Sequence, residues 1–558
     1  MKLIVFSIFL NTLLYATSFD EFERDTRRQE SIRDAQSTIA NPTQFIENKS
    51  ILEAEATPPT KISQVTLIQT IIVKGNTLLT PFEIHYIKQP YINQKLTNQD
   101  IFKLIQSLQQ AYVKKGFTTT RVSINTKETR NNRLTLQVVE GQIGRIYTSK
   151  NSWNDKLKLW QLFPLKNHAL ANDYDLRIGV NHIARLSSLK INTQLEPGFK
   201  SGETNILTSF TQVKSPWSLY ASFNGSGTNE FIPSFLQITG DNLIGIFDQW
   251  QLSYSHAISL NKNSNSTTIK SSIPFKRHLF SGNITYSQNN QVSESYSVAN
   301  ILNNEAKKYQ VSDQYTFIYF PNFNIKFTPS ITFKQNESKT DSVVISSTNQ
   351  TLASLSASTQ LSSFGNINAT LTFEKTMPWL NSQQDVATQE ADSAHYEFEK
   401  WSGSIQAAKQ LTLPYIGQTA SNISTSFQTT STVTQLSEHA VLGGWYSVKG
   451  YNSNPQYGEH YAILNSEQML PLSQYPLPVF IKNLNIQLKG FLDSGFIYRK
   501  YNLSLSSEQE RLAYATGAAV GIGMSVFKGQ FDFKIARGIA GNITRHGFES
   551  LWSWSIQF

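Results

Sequence analysis

The 558 residues suffice for several domains, yet only 16% are Asp, Glu, Lys or Arg, against about a quarter in an ordinary soluble protein, while 12% are aromatic. Mean hydropathy is -0.31, so Ser, Thr, Asn and Gln stand in for the missing charge; the +9 formal charge is dispersed rather than clustered with stacking aromatics, which sets nucleic acid aside. Zero cysteines exclude disulfides and thiolate sites, and the nine histidines show no paired-ligand spacing; with neither GxSxG nor GxxxxGK[ST], no metal, no cofactor, no catalytic residue and no enzyme activity are expected.

Residues 1–18 start with Lys2, run through an apolar core from Leu3 to Leu10 and end in Ala16, Thr17 and Ser18, the pattern of a secretory signal. Beyond them no apolar run approaches the roughly 20 residues of a membrane helix. Any membrane span must therefore be built of strands. Residues 19–37 are rich in helix formers, with Glu23 and Arg27 at i,i+4 and Glu30 and Arg33 at i,i+3, but their only apolar side chains after Phe19 are Phe22, Ile32 and Ala35. So polar a helix suits an aqueous channel; the alternative is a disordered arm. Residues 38–64, with Pro42, Pro58 and Pro59, read as a linker.

Residues 65–141 predict a β-α-α-β-β unit. A strand from Leu67 to Lys74 precedes a helix opened by Thr80-Pro81; Thr97 caps a second helix in which Ile101, Leu104, Ile105, Leu108 and Tyr112 follow the 3.6 period. Strands follow near Thr118–Asn125 and Arg133–Glu140. Residues 142–212 repeat this order more loosely, with helices around Leu157–Phe163 and from Asn172.

From residue 213 to the C-terminus the pattern changes to alternating segments between turn residues. Trp250, Leu252 and Tyr254 alternate with Gln251, Ser253 and Ser255; Trp552, Trp554, Ile556 and Phe558 alternate with Ser553, Ser555 and Gln557. A strand between lipid and a watery lumen requires this alternation over about ten residues. A soluble sandwich also alternates, but the leader, the low charge and the aromatic last strand favour a barrel, of roughly 14 to 18 strands.

Two stretches stand out. Gly443-Gly444-Trp445-Tyr446-Ser447-Val448-Lys449-Gly450-Tyr451 lies in a long connection and mixes glycines, which allow close backbone approach, with aromatics that need a packing partner. Such a loop is expected to fold into a cavity. Farther on, the strand carrying Phe491-Leu492-Asp493-Ser494-Gly495 continues an alternation of Leu484, Ile486 and Leu488 with Asn485, Gln487 and Lys489, whose parity places Asp493 on the polar face. Lys449 and Asp493 are the expected partners.

Together these features resemble the two-partner secretion transporters of the hemolysin secretion/activation family. Val448-Lys449-Gly450-Tyr451 is similar to the family's VRGY loop, Phe491, Asp493 and Gly495 to its FxDxG strand, and Asn242-Leu243-Ile244-Gly245 to a pattern near the barrel start. The resemblance implies an outer-membrane barrel of 16 antiparallel strands over residues 213–558, preceded by two POTRA domains (65–141 and 142–212) and by a plug helix (19–37). It implies that the barrel loop reaches the lumen and that its basic residue contacts the strand aspartate, here with lysine in place of arginine. It implies a function: an unfolded exoprotein is bound in the periplasm by the POTRA domains and exported through the barrel without ATP, with folding outside supplying direction. Expected partners are that exoprotein, outer-membrane lipid and the machinery that assembles the barrel, which would read a C-terminal signal of Trp552, Trp554 and Phe558. The rival readings are a barrel-assembly insertase, which usually carries more POTRA copies, and a gated porin, which leaves the repeat unexplained.

Overall fold

The computed structural model describes residues 66–558 except 130–131, 151, 227–233, 260–261, 296–297, 321, 341–342, 364, 391–392, 445–446, 452–455, 500–510, 527 and 544–546. The expected leader, plug helix and linker lie outside the described residues. Those described form two compact units: an α/β unit through Lys214 that also takes in Pro274–Arg277, and a β unit made of the rest.

The α/β unit begins with β1 (Thr66–Ile68), β2 (Thr70–Lys74), α1 (Pro81–Lys88), β3 (Gln94–Leu96), α2 (Asn98–Lys114), β4 (Arg121–Ile124) and β5 (Arg133–Val139). Thr80 and Thr97 each accept from the backbone three residues on, and Glu83 and Asp100 reach back to the capping residue, so both helix starts close as capping boxes. Leu104, Leu108 and Tyr112 are fully buried among Ile71, Leu134, Leu136 and Val138 of the sheet, so the helix is held by covering an apolar face. The one strand expected from Leu67 to Lys74 is two. Gln69 breaks it, because β1 pairs antiparallel with β3 while β2 runs parallel to β5, and the Gln69 amide donates to Asn132 O at 2.8 Å.

The order then recurs as β6 (Gln142–Thr148), α3 (Trp153–Leu162), α4 (Asp173–Ala184), β7 (Leu189–Pro197) and β8 (Glu203–Gln212). Its sheet is β6-β8-β7 where the first is β2-β5-β4. In both, the opening strand is parallel to the last and the last is antiparallel to the one before it. The two sheets therefore share one topology.

The β unit is a closed barrel of sixteen antiparallel strands. Its first half is β9 (Trp217–Ser226), β10 (Ser234–Asp241), β11 (Gln249–Ser259), β12 (Lys262–Phe275), β13 (His278–Ser295), β14 (Val298–Phe320), β15 (Phe323–Thr340) and β16 (Val343–Leu361). Next come β17 (Asn366–Met377), β18 (Glu399–Leu413) and β19 (Gly417–Thr430), followed by β20 (Ala440–Leu442) and β21 (Gln456–Gly458), a two-stranded ribbon apart from the wall. The wall resumes with β22 (His460–Pro471), β23 (Gln487–Tyr498), β24 (Leu512–Val526), β25 (Gly529–Gly541) and β26 (Glu549–Gln557). β26 returns to β9, with the Trp554 and Phe223 rings stacked 5.6 Å apart and Phe558 N donating to Leu219 O at 2.8 Å.

Burial along the strands is inverted relative to a soluble protein. Trp250, Leu252 and Tyr254 face outward and are about two-fifths exposed, whereas Ser253 and Ser255 are buried at 5% and 2%. The inward hydroxyls pair across strands, Ser266 with Ser287 at 2.7 Å and Ser330 with Ser354 at 2.6 Å, so these buried polar groups find their partners within the wall. A sandwich would bury the opposite face, and this arrangement decides for a barrel with an apolar band outside and a polar lumen. Because strands alternate in direction, the long connections 378–398 and 431–459 leave one rim and short turns such as 276–277 and 414–416 leave the other.

The expected strand through Leu484 and Ile486 starts only at Gln487. Asn485 has a φ of 42°, a left-handed conformation that Asn tolerates and a strand cannot contain, so the residues before Gln487 form the turn. The parity beyond it is as read: Leu488, Leu492 and Phe496 point out, Lys489, Phe491 and Asp493 in.

Candidate functional site: a loop seated in the barrel wall

The connection 431–459 carries Val448, Lys449, Gly450 and Tyr451; Trp445 and Tyr446 lie outside the described residues. Its tip rests on four neighbouring wall strands. One row in register across them, Asn465 of β22, Asp493 of β23, Gly517 of β24 and Gly538 of β25, forms the seat.

Asp493 is 1% exposed and saturated with donors. Lys449 Nζ donates to its Oδ2 at 2.9 Å, the Lys449 backbone amide reaches the same oxygen at 3.3 Å, and Asn465 Nδ2 donates to Oδ1 at 2.8 Å. Asn465 Nδ2 also reaches Ser447 O at 2.5 Å, so one side chain orients both the carboxylate and the loop. The Lys449 ammonium lies 4.9 Å from the centre of the Phe491 ring, and Lys534 Nζ lies 4.5 Å from it, so the ring's negative face moderates two cations drawn toward one wall.

Backbone approach completes the seat. A Cβ on Gly517 would stand 1.9 Å from Lys449 O, and one on Gly538 2.7 Å from Tyr451 Cζ. Gly450 has a φ of 90°, and a Cβ there would meet Arg537 C and Gly538 N at 2.4 Å. The loop main chain thus lies directly on the wall, which only glycine permits. Tyr451, fully buried, donates its hydroxyl to Ala540 O at 2.6 Å and approaches Thr516 O at 3.3 Å. Those carbonyls flank the bulge where the β24–β25 register shifts between Thr516 and Gly517; a bulge interrupts the ladder and turns backbone groups toward other partners. Val448 fills an apolar pocket with Leu442, Ile463, Ile497 and Ala515, and Gly495 leaves room for Leu442, which would lie 2.8 Å from an added Cβ.

The structure therefore brings together Val448, Lys449, Gly450, Tyr451, Phe491, Asp493 and Gly495. Trp552, Trp554 and Phe558 stand elsewhere, on the closing strand β26 and its end. At the barrel start, Asn242 and Gly245 adopt left-handed φ of 56° and 82° in the turn after β10, where the buried Asp248 accepts from the Leu243 and Ile244 amides at 3.1 and 3.2 Å. Asn465, Gly517 and Gly538 escape a sequence reading. The two glycines leave one usable sign, since glycine inside a strand often marks close backbone approach; Asn465 leaves none before the register is known. Among the described residues no group of three or more His, Asp or Glu side chains converges as metal ligands would. The site's chemistry is that of a clamp, an ion pair and close packing that hold one loop inside a pore.

The family model for the "Haemolysin secretion/activation protein ShlB/FhaC/HecB" matches residues 202–524, more than half the chain. The chain belongs to this family. A second model, "POTRA domain, ShlB-type", matches residues 66–141. Among relatives of the family, the outer membrane transporter CdiB of Dickeya dadantii is 22% identical over 471 residues, covering 82% of this chain and 79% of its own. The hemolysin transporter protein ShlB of Serratia marcescens is 25% identical over 411 residues, covering 70% and 72%. The solved structure of CdiB from Escherichia coli superposes with a TM-score of 0.80 at 17% identity, over 97% of this chain and 98% of that one; it has the same fold. The family is one of transporters, and the closed barrel of this chain has the sixteen strands described above.

Proposed function

We propose that this chain is an outer-membrane transporter of two-partner secretion, which binds an unfolded exoprotein in the periplasm and exports it through its barrel to the cell surface without ATP. The observation that carries the reading is a polar-lined closed barrel whose lumen holds a loop with its tip latched by the buried Lys449–Asp493 ion pair, in a chain of the secretion/activation family. A fixed pore needs no latch; a conduit that must open for a chain and close behind it does.

Within this reading residues 1–18 are the secretory signal, 19–37 the plug helix, 38–64 a linker, 65–141 and 142–212 two periplasmic POTRA domains, and 213–558 the barrel. The second POTRA assignment rests on the shared topology of the two α/β sheets. The outward apolar band would meet outer-membrane lipid, and Trp552, Trp554 and Phe558 would serve as the signal by which assembly machinery inserts the barrel. The exposure of Trp552 and Trp554, 40% each on the outward face of the last strand, supports that role. Transport, not catalysis, is the proposed activity, with no cofactor and no nucleic-acid partner.

The test is reconstitution. Liposomes containing only this purified protein, given its unfolded partner on the α/β side, are expected to accumulate that partner on the other side in the absence of nucleotide. Accumulation that requires ATP or a further protein would reject the mechanism.

A further inference from the structure

The connection that ends in the clamp is also held near its beginning. Glu438, buried at 5% exposure, accepts from Lys334 Nζ through Oε1 and from Lys400 Nζ through Oε2, each at 2.6 Å. Lys400 Nζ also lies 2.7 Å from Glu374 Oε2. Lys334, Glu374 and Lys400 belong to β15, β17 and β18, and the register pairs Glu374 with Lys400, so all three point into the lumen. These three wall residues are two ammonium groups and one carboxylate. Glu438, which belongs to the loop and not to the wall, supplies a second carboxylate that balances the charges of Lys334 and Lys400.

Neighbouring contacts fix the same place. Gln428 Nε2 of β19 donates to Glu438 O at 2.7 Å and to Glu459 O at 3.1 Å, drawing the start and the end of the connection to one residue of the wall. The seat of Lys449 is on β22 to β25, whereas Glu438 is tied to β15 and β18. One loop is thus moored to two separate sectors of the barrel.

We infer that Glu438 is a positioning residue for export, a second anchor that holds the shoulder of the luminal loop to Lys334 and Lys400 independently of the Lys449–Asp493 clamp at its tip. The inference builds on the export reading, but its test is made on the resting barrel without cargo, so failure of one is distinguishable from failure of the other.

The absence of cysteine from the chain makes the test simple, because a single Ser437→Cys thiol next to the anchor is the only one present. Its rate of reaction with a membrane-impermeant maleimide is measured in purified, folded protein, with and without Glu438→Gln. Removing one member of a buried charge cluster leaves the others uncompensated, and the released population, and with it the labelling rate, is expected to rise by about a hundredfold. Lys334→Gln leaves Lys400 in place and is expected to raise it by about tenfold. An unchanged rate in Glu438→Gln protein that still shows heat-modifiable mobility overturns the inference. Should that variant fail to assemble, Lys334→Gln decides on the same terms.

Discussion

Lys449→Ala and Asp493→Ala are each expected to remove most export while the barrel still assembles. Both partners are buried, and a lone buried charge costs about 3 to 5 kcal/mol, well above the roughly 0 to 1 kcal/mol of an exposed ion pair. That penalty falls on the seated state of the loop, not on the strand ladder, so the amount of heat-modifiable barrel is expected to stay normal while surface cargo falls. Lys449→Arg is expected to be tolerated, because a guanidinium reaches the same carboxylate and can bond it twice. The charge swap Lys449→Asp with Asp493→Lys is expected to rescue only in part. An ammonium at 493 would face the Asn465 amide and the backbone N–H of residue 449, both of which donate to Asp493 in the native seat. Cargo at wild-type levels in both alanine variants would show that the pair does not govern the loop.

Gly517→Ala is expected to reproduce the loss of export without touching a charge. Its added Cβ would stand 1.9 Å from the Lys449 carbonyl oxygen, a backbone atom that cannot rotate away, so the tip must lift or β24 must shift. Gly490→Ala is the matched control on the same wall, since a Cβ there meets nothing within 4 Å. Export and barrel level measured side by side for the two variants separate loss of the seat from loss of glycine. Equal export by both would mean that the loop main chain does not rest on β24.

Much of this was legible in the residues because it is local. The outward set Trp250, Leu252 and Tyr254 shows directly in the two-residue period, and the same parity places Asp493 inward once its strand is recognised. Lys449 and Asp493 are legible as partners from the loop's mix of glycines and aromatics and from the parity of the strand, and the resemblance of their surroundings to known motifs adds to that reading. What lay beyond reading depends on register between strands far apart in sequence. Asn465 meets Asp493 only because β22 and β23 pair as they do, Gly517 and Gly538 line up under Lys449 and Tyr451 through two further pairings, and Glu438 finds Lys334 across 104 residues. Local chemistry also overrode two expected boundaries. Asn485 ends the turn before β23 with a left-handed φ, and Gln69 splits the first strand because its two halves serve different sheets.

If cargo passes through the lumen, it meets only one of two adjacent wall positions. Ser354 of β16 faces inward and bonds Ser330, while Leu355 faces outward and is 51% exposed. Cargo carrying one cysteine, stalled in transit by a tightly folded C-terminal fusion, is oxidised in cells bearing either Ser354→Cys or Leu355→Cys transporter. Passage through the lumen predicts a disulfide-linked transporter–cargo adduct at residue 354 and none at residue 355. Stalled cargo that forms no adduct at residue 354, or forms it equally at both positions, would contradict it.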